Sequence, residues 1–335
     1  MKLIVQIPCH NEADHLPDTL AAIPRQVAGV DSVQVLVLDD GSNDETTAVA
    51  LAHGADGVLR FPRRQGLARV FKAGLDAAIR SGADIIVNTD GDNQYDGTQI
   101  PDLVKPILAG EADMAVGDRD PGSLAHFSAA KRFLQRLGSG LMRQLSGTTV
   151  ADSTSGFRAY SREAALRINV INDFTYTLET LIQAGSRRLR IADVPIRARH
   201  TPRKSRLAPT TLHYLKNAGG TMARAYAMYE PMKVFFYFGA LFLLGATALG
   251  IRFLAVYFGP TAGGGNIQSL ILAAILAIVG FQLLSLGLIA DLLAANRKLL
   301  EEQLYRIRRR DSHALAVEGV AELPGVISSL EGRSA

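Results

Sequence analysis

Between Leu3 and Asp92 the chain three times builds a short aliphatic run and stops it at polar residues. The runs are Leu3-Ile4-Val5-Gln6-Ile7, Val33-Gln34-Val35-Leu36-Val37-Leu38 and Ile85-Ile86-Val87; the stops are Asn11-Glu12, Asp39-Asp40, and Asp90 with Asp92. Runs this short and β-branched, bounded by turn residues, read as buried strands. Helical segments lie between them, at about 13–23, 45–52 and 63–80. Strand and helix alternating in this way predict an α/β fold around a mostly parallel sheet with right-handed crossovers. In such sheets ligands bind in the crevice at the carboxyl ends of the strands. Structural carboxylates cap helices one at a time, so three acidic sites on one sheet edge predict a nucleotide with its metal.

The third stop, Asp90-Gly91-Asp92-Asn93-Gln94, offers two hard carboxylates one residue apart. Mg²⁺ or Mn²⁺ suits such a pair, because these ions accept one or two carboxylates and complete their shell with substrate phosphate and water. The alternative is an acidic turn that caps the helix starting near Thr98–Pro101. Ser42 and Glu45 stand three apart before an Ala/Val-rich run and predict a capping box for a helix at 45–52. Further strands are expected at 58–60, 112–117 and 188–194. No G-x-G-x-x-G follows the first strand and no G-x-x-x-x-G-K-[ST] occurs, which argues against dehydrogenase and P-loop readings.

Taken in order, I-P-C-H-N-E, V-L-D-D-G-S-N-D-E-T, G-L-A-R-V-F-K-A-G, N-T-D-G-D-N-Q-Y and D-S-T-S-G-F-R resemble the successive motifs of family 2 inverting glycosyltransferases of GT-A fold. The polyprenyl-phosphate glycosyltransferases are the most similar subgroup, and the resemblance covers about residues 1–230. It implies that Pro8, Asn11 and Glu12 line the nucleotide pocket and that Asp39 and Asp40 hold base and ribose. It also implies that Asp90 contacts the nucleotide sugar and that Asp90, Asp92 and Gln94 bind Mg²⁺ or Mn²⁺. Arg119 and Arg132 match the arginines that surround the acceptor phosphate in the family, and a planar guanidinium suits phosphate because it binds in a bidentate fork. Asp152 would face the reaction centre as a base or orienting carboxylate. The chain has Ala68 where the family often has a second glycine. Glu179 reads as compensation of a helix dipole.

The apolar residues are concentrated after Pro231. Val234–Ile251 has no charge, Phe253–Phe258 continues it, and Leu270–Leu293 is charged only at Asp291. A hydrocarbon layer of roughly 30 Å takes about 20 helical residues, so both runs predict transmembrane helices. Lys216, Arg224 and Lys233 precede the pair and Arg297, Lys298 and Arg306–Arg310 follow it, while the loop between has no Lys or Arg. The positive-inside rule then puts both ends in the cytoplasm. The chain starts on a strand without a leader and has one cysteine, Cys9, in keeping with a cytoplasmic catalytic part. The amphipathic stretch 128–145 and the basic run 197–206, with Arg203, Lys204 and Ser205, would meet the acceptor phosphate and lipid headgroups. Nucleic acid is not expected, since no aromatic residues interleave the basic run.

The expected organisation is a catalytic domain at 1–210, a juxtamembrane amphipathic helix at 211–232, two transmembrane helices with a short loop at 233–295, and a cytoplasmic tail at 296–335. The expected reaction is inverting transfer of a hexose from UDP- or GDP-hexose to undecaprenyl or dolichyl phosphate at the cytoplasmic membrane face. Family resemblance also implies a homo-oligomer. The alternatives are a different lipid or glycan acceptor, and a tethered nucleotide-sugar-binding protein without catalysis. A processive synthase would need a Q-x-x-R-W motif, and the chain has no Trp.

Overall fold

The computed structural model describes residues 1–119, 150–171, 176–199, 231–258, 267–317 and 326–328. Its elements run β1 (Lys2–Cys9), α1 (Leu16–Ala21), β2 (Ser32–Asp39), α2 (Thr46–Ala52), β3 (Gly57–Arg60), α3 (Leu67–Arg80), β4 (Ile85–Asn88), α4 (Ile100–Leu108), β5 (Met114–Asp118), β6 (Arg158–Ser161), α5 (Arg162–Arg167), α6 (Tyr176–Ser186), β7 (Ile191–Pro195), α7 (Pro231–Tyr257), α8 (Ile267–Val317) and β8 (Val326–Ser328). The strand order is β7-β5-β6-β4-β1-β2-β3-β8. The expected parallel pairing is present, with Leu3 opposite both Val33 and Ile85 and Cys9 opposite Asp39. This register brings the ends of β1, β2 and β4 to one edge. Seven strands come from residues 2–195, and β8 adds a short parallel strand beside β3.

β6 was not anticipated. It runs antiparallel between β4 and β5 and turns an otherwise parallel sheet into a mixed one. Its sequence, Arg-Ala-Tyr-Ser, hides it: a strand that opens on arginine does not read as buried, yet Arg158 is fully enclosed.

Both faces of the sheet are covered. Leu3, Val5, Ile7, Val35, Val37, Ile85 and Val87 meet α1 through Leu16 and Leu20 and α4 through Ile100, Leu103 and Val104. α3 lies on the opposite face, and at Gly74 it approaches so closely that an added Cβ would sit 2.4 Å from Leu38 Cδ1 and 2.5 Å from Gln6 Oε1. The predicted capping box does not form. Glu45 makes no capping bond; Asp44 accepts from the Thr46 amide at 3.1 Å, while Ser42 Oγ accepts the Asn11 amide at 2.9 Å. Ser42 therefore ties the end of β1 to the end of β2.

The chain divides into two compact units, Met1–Met222 with Gln303–Ala335, and Ala223–Glu302. The second unit contains α7 and most of α8, both long and apolar enough to cross a membrane. They pack where Gly239 faces Gly280: a Cβ on either would lie 3.1 or 3.0 Å from the other's carbonyl oxygen. Small residues at such a crossing let two helices approach without a side chain between them. Helix α8 continues past the apolar run to Val317. Within the first unit its Tyr305 hydroxyl donates to Glu163 of α5 at 2.9 Å, and Arg308 pairs with Asp76 of α3 at 3.1 Å and donates to Ile168 O at 3.0 Å. Tyr305 and Arg308 are three apart and so share a helical face.

Candidate active site

Pro8 lies in β1 opposite Leu38, and the strand ends one residue later at Cys9. Asn11 takes a left-handed conformation (φ 55°) and its Oδ1 accepts the Asn43 amide at 2.9 Å. The buried Glu12 donates its amide to Thr46 Oγ1 at 3.0 Å. Asp39, at the end of β2, accepts the Ser42 amide at 2.8 Å and the Thr47 hydroxyl, and Arg60 lies 3.7 Å away. Asp40 accepts the amides of Gln65 at 2.5 Å and Gly66 at 3.0 Å, at the start of α3. Asp40 thereby fixes the loop that opens α3. Gly66 has φ 94°, and at Gly41 (φ 65°) a Cβ would meet the Arg63 backbone at 2.6 Å. The three predicted stops do share one edge, and the first two are bound together by hydrogen bonds.

The third stop is different. Among the described residues Asp90 has no hydrogen-bond partner for its carboxylate. Its surroundings push its pKa from 3.8 to about 7: desolvation contributes most, Asp92 and Glu12 add to it, and the positive charge of Arg119 opposes it. Part of its surface still meets solvent, but protein atoms crowd the carboxylate densely. Asp92 accepts the Gln94 amide at 3.2 Å, and Asn93 between them is left-handed (φ 57°). A Cβ on Gly156, opposite, would stand 3.0 Å from Tyr176 OH and 3.1 Å from both Asp90 oxygens, so these side chains would have to give by a few tenths of an ångström. Gly156 is held there by three side chains. Tyr95 OH accepts its amide at 2.9 Å, and its carbonyl accepts from Asn88 Nδ2 at 2.9 Å and from Tyr176 OH at 3.4 Å. Asn88 Nδ2 also donates to Tyr176 OH at 2.8 Å, and Tyr176 stacks on Phe71 at 3.9 Å. Sequence reading passed over Asn88, Tyr95 and Tyr176, although Asn88 and Tyr95 flank the acidic motif.

Arg119, after β5, grips Asp152 in a fork, Nε to Oδ2 at 2.6 Å and Nη2 to Oδ1 at 3.1 Å, and donates to Thr154 Oγ1 at 2.8 Å. Burial acts to raise the Asp152 pKa, but the Arg119 and Thr154 hydrogen bonds and the charge of Arg119 outweigh it and hold it below the ordinary value. The guanidinium lies over the Tyr95 ring, 5.9 Å from its centroid, which brings the pair to the Asp90 side of the crevice. Arg158 fastens the loop from below, donating to the carbonyls of Ser153, Ser155 and Thr177 at 2.8, 2.7 and 2.7 Å. Glu179 accepts the Ile171 amide at 3.1 Å in the first turn of α6, in line with a structural role. Arg132, Arg203, Lys204 and Ser205, with the stretches 128–145 and 200–230, lie outside the described residues.

The donor set fits a divalent cation of the Mg²⁺ or Mn²⁺ type. No group of three His, Cys, Asp or Glu side chains close enough for a metal occurs among the described residues. Such an ion needs only one or two carboxylates when phosphate oxygens and water complete its shell. Asp90 and Asp92 could supply these, and among the described residues Asp90 has no hydrogen-bond donor to stabilise its charge.

Comparison with known proteins identifies the family. The glycosyl transferase family 2 profile matches residues 4–168. An uncharacterized glycosyltransferase of Mycobacterium tuberculosis is 33% identical over 193 residues, covering 57% of this chain and 83% of that protein. The undecaprenyl-phosphate mannosyltransferase of Micrococcus luteus is 29% identical over 206 residues, covering 58% of this chain and 83% of that protein. Glucosyl-3-phosphoglycerate synthase of M. tuberculosis, solved with Mn²⁺, UDP and glucosyl-3-phosphoglycerate, matches with a TM-score of 0.51 and 25% identity over 68% of this chain and 78% of that one. The chain belongs to glycosyl transferase family 2 and has the GT-A fold.

Proposed function

We propose that the protein transfers a hexose, with inversion, from UDP- or GDP-hexose to a polyprenyl phosphate at the cytoplasmic face of a membrane. One observation carries this reading: Arg119, forked onto Asp152, stands beside Asp90 at the sheet edge of a chain with two membrane-length apolar helices. The Micrococcus relative, named for undecaprenyl phosphate, supports the acceptor, and the positive flanks of α7 and α8 support the orientation.

In this mechanism an acceptor phosphate oxygen attacks C1 of the sugar as the bond from C1 to the diphosphate breaks. The nucleoside diphosphate leaves with the electron pair. A phosphate monoester has its second pKa at about 6, so the nucleophile is already ionised at neutral pH and needs positioning more than a base. Asp152, with its lowered pKa and its carboxylate held by Arg119, is the orienting group rather than the base. Among the described residues Arg119 bonds through Nε and Nη2, and its Nη1 would donate to the acceptor phosphate, joined by Arg132 and the Arg203–Ser205 run. Asp90, Asp92 and Gln94 would hold the ion, which when bound neutralises charge on the leaving diphosphate. Pro8, Asn11, Glu12, Asp39 and Asp40 form the nucleotide side.

A second reading keeps the donor and changes the acceptor. The synthase with matching fold is bound to glucosyl-3-phosphoglycerate, a small phosphorylated product, and an arginine fork serves either phosphate. Membranes containing the protein, given undecaprenyl phosphate and radiolabelled nucleotide hexoses, separate the two. Label passing into chloroform and lost on addition of EDTA is the expected result. Label confined to water-soluble product would overturn the lipid acceptor.

A further inference from the structure

The basic run 197–206 was read as a phosphate or headgroup contact, but its first three residues are bound to the metal-side loop. Tyr95 and Ala198 form an antiparallel bridge, and the Arg199 amide donates to Gln94 O at 2.8 Å. The Gln99 side-chain amide closes on Arg197 from both sides, accepting its amide at 2.7 Å and donating to its carbonyl at 3.0 Å. The Arg199 guanidinium then spans the loop, reaching Asn93 Oδ1 at 2.6 Å and Asp96 Oδ1 at 3.2 Å. Residues 197–199 thus form a strap across 93–99. The loop beneath it carries Asp92, the left-handed Asn93 and Gln94.

We infer that Arg199 is a positioning residue that pre-organises the Asp92–Gln94 loop and so sets its affinity for the divalent ion. The inference rests on the metal assignment made above. Mg²⁺ and Mn²⁺ demand near-octahedral geometry from few protein ligands, so a loop held in one conformation binds more tightly than one ordered only on binding. Arg199 is suited to this because its rigid planar fork offers separate N–H donors to acceptors on both sides of Gln94, where a lysine would present a flexible point charge. Asp96 is already committed to the Thr98 amide and hydroxyl at 3.2 and 2.8 Å, so the arginine anchors the loop to a rigid point. Arg199 itself is largely exposed, and its removal leaves the core untouched.

The test uses the full chain in detergent with saturating UDP. Mn²⁺ affinity is measured by calorimetry, and the thermal midpoint by circular dichroism. An exposed bridging pair is worth roughly a two- to fivefold change in binding. Arg199→Ala is expected to weaken Mn²⁺ binding by that factor with an unchanged thermal midpoint and unchanged UDP affinity. Arg199→Lys is expected to recover part of the loss. Asn93→Gly, which keeps the left-handed backbone but removes one anchor, is expected to weaken Mn²⁺ binding in the same direction. Normal Mn²⁺ binding by both Arg199→Ala and Asn93→Gly would overturn the strap's role while leaving the metal assignment standing. Wild-type protein that binds no Mn²⁺ would overturn the metal assignment and the inference together.

Discussion

Replacing Asp90 by Asn should stabilise the metal-free protein. Asp90 has a pKa of about 7 against an ordinary 3.8, caused by desolvation first and the neighbouring Asp92 second. A carboxylate whose folded pKa is raised lowers stability wherever the unfolded chain would ionise it and the folded chain resists. The cost is absent below about pH 4, grows through the interval to pH 7, and is full above it. Each unit corresponds to about 1.4 kcal/mol, so the shift sets a ceiling of about 4 kcal/mol. Solvent contact at part of the Asp90 surface reduces this to roughly 2 kcal/mol. For a catalytic unit of this size that is a rise in thermal midpoint of roughly 4–8 °C at pH 8. At pH 5 little more than about a third of it should remain. The chain lacks Trp, so far-UV circular dichroism in EDTA is the suitable readout. Mn²⁺ with UDP should stabilise the wild type and not the variant, and the wild type should release protons on binding Mn²⁺ below pH 7. A variant no more stable than wild type at pH 8 in EDTA would refute the reasoning, because Asp90 would then carry no unrelieved charge.

Gly156→Ala sets a methyl group 3.1 Å from both Asp90 oxygens, so transfer activity should fall at least about tenfold while unfolding shifts by less than roughly 2 kcal/mol; a fully active variant would show that the loop can move away. Arg119→Lys keeps the charge but loses the fork to Asp152 and Thr154, and KM for the acceptor should rise about tenfold or more with little change in KM for the donor, read from initial rates. Asp92→Ala should abolish Mn²⁺-dependent transfer, and full activity in metal would refute its assignment. Tyr305→Phe removes a hydroxyl donated to the Glu163 carboxylate and should lower the thermal midpoint by an amount worth about 1–2 kcal/mol without changing KM for the donor.

The parallel half of the fold was legible because its information is local. Leu3–Ile7, Val33–Leu38 and Ile85–Val87 are apolar, β-branched and ended by turn residues, and burial on both faces leaves no other use for them. β6 was not legible, because its buried arginine depends in part on the Thr177 carbonyl and the Thr180 hydroxyl, which lie beyond a local window around residue 158. The acidic cluster could be read as a cluster but not divided by role. Asp39 and Asp40 look equivalent in sequence, yet one ties the start of α2 and the other the start of α3. The capping box failed for a related reason: Ser42, three residues before Glu45 in sequence, is 2.9 Å from the Asn11 amide in space.

The proposed nucleotide side and the proposed metal side differ in how each carboxylate is satisfied. Asp39 accepts an amide and a hydroxyl, Asp40 two amides, and Asp152 an arginine fork. Hydrogen bonds to the ionised form hold a carboxylate charged and fixed, which suits groups that shape a pocket. Asp90 has no such donor among the described residues. Its enclosure by Tyr95, Tyr176, Asn88 and Gly156 orders the wall opposite without supplying a hydrogen bond to its oxygens. A carboxylate beside Asp92 with only the charge of Arg119 to offset it is unfavourable in the empty protein, and a bound cation would relieve that cost. Binding of the proposed ion with its diphosphate would remove a strain that folding leaves in place. This cost at Asp90 supports the proposed metal site at this corner of the sheet edge independently of the Asp-x-Asp motif.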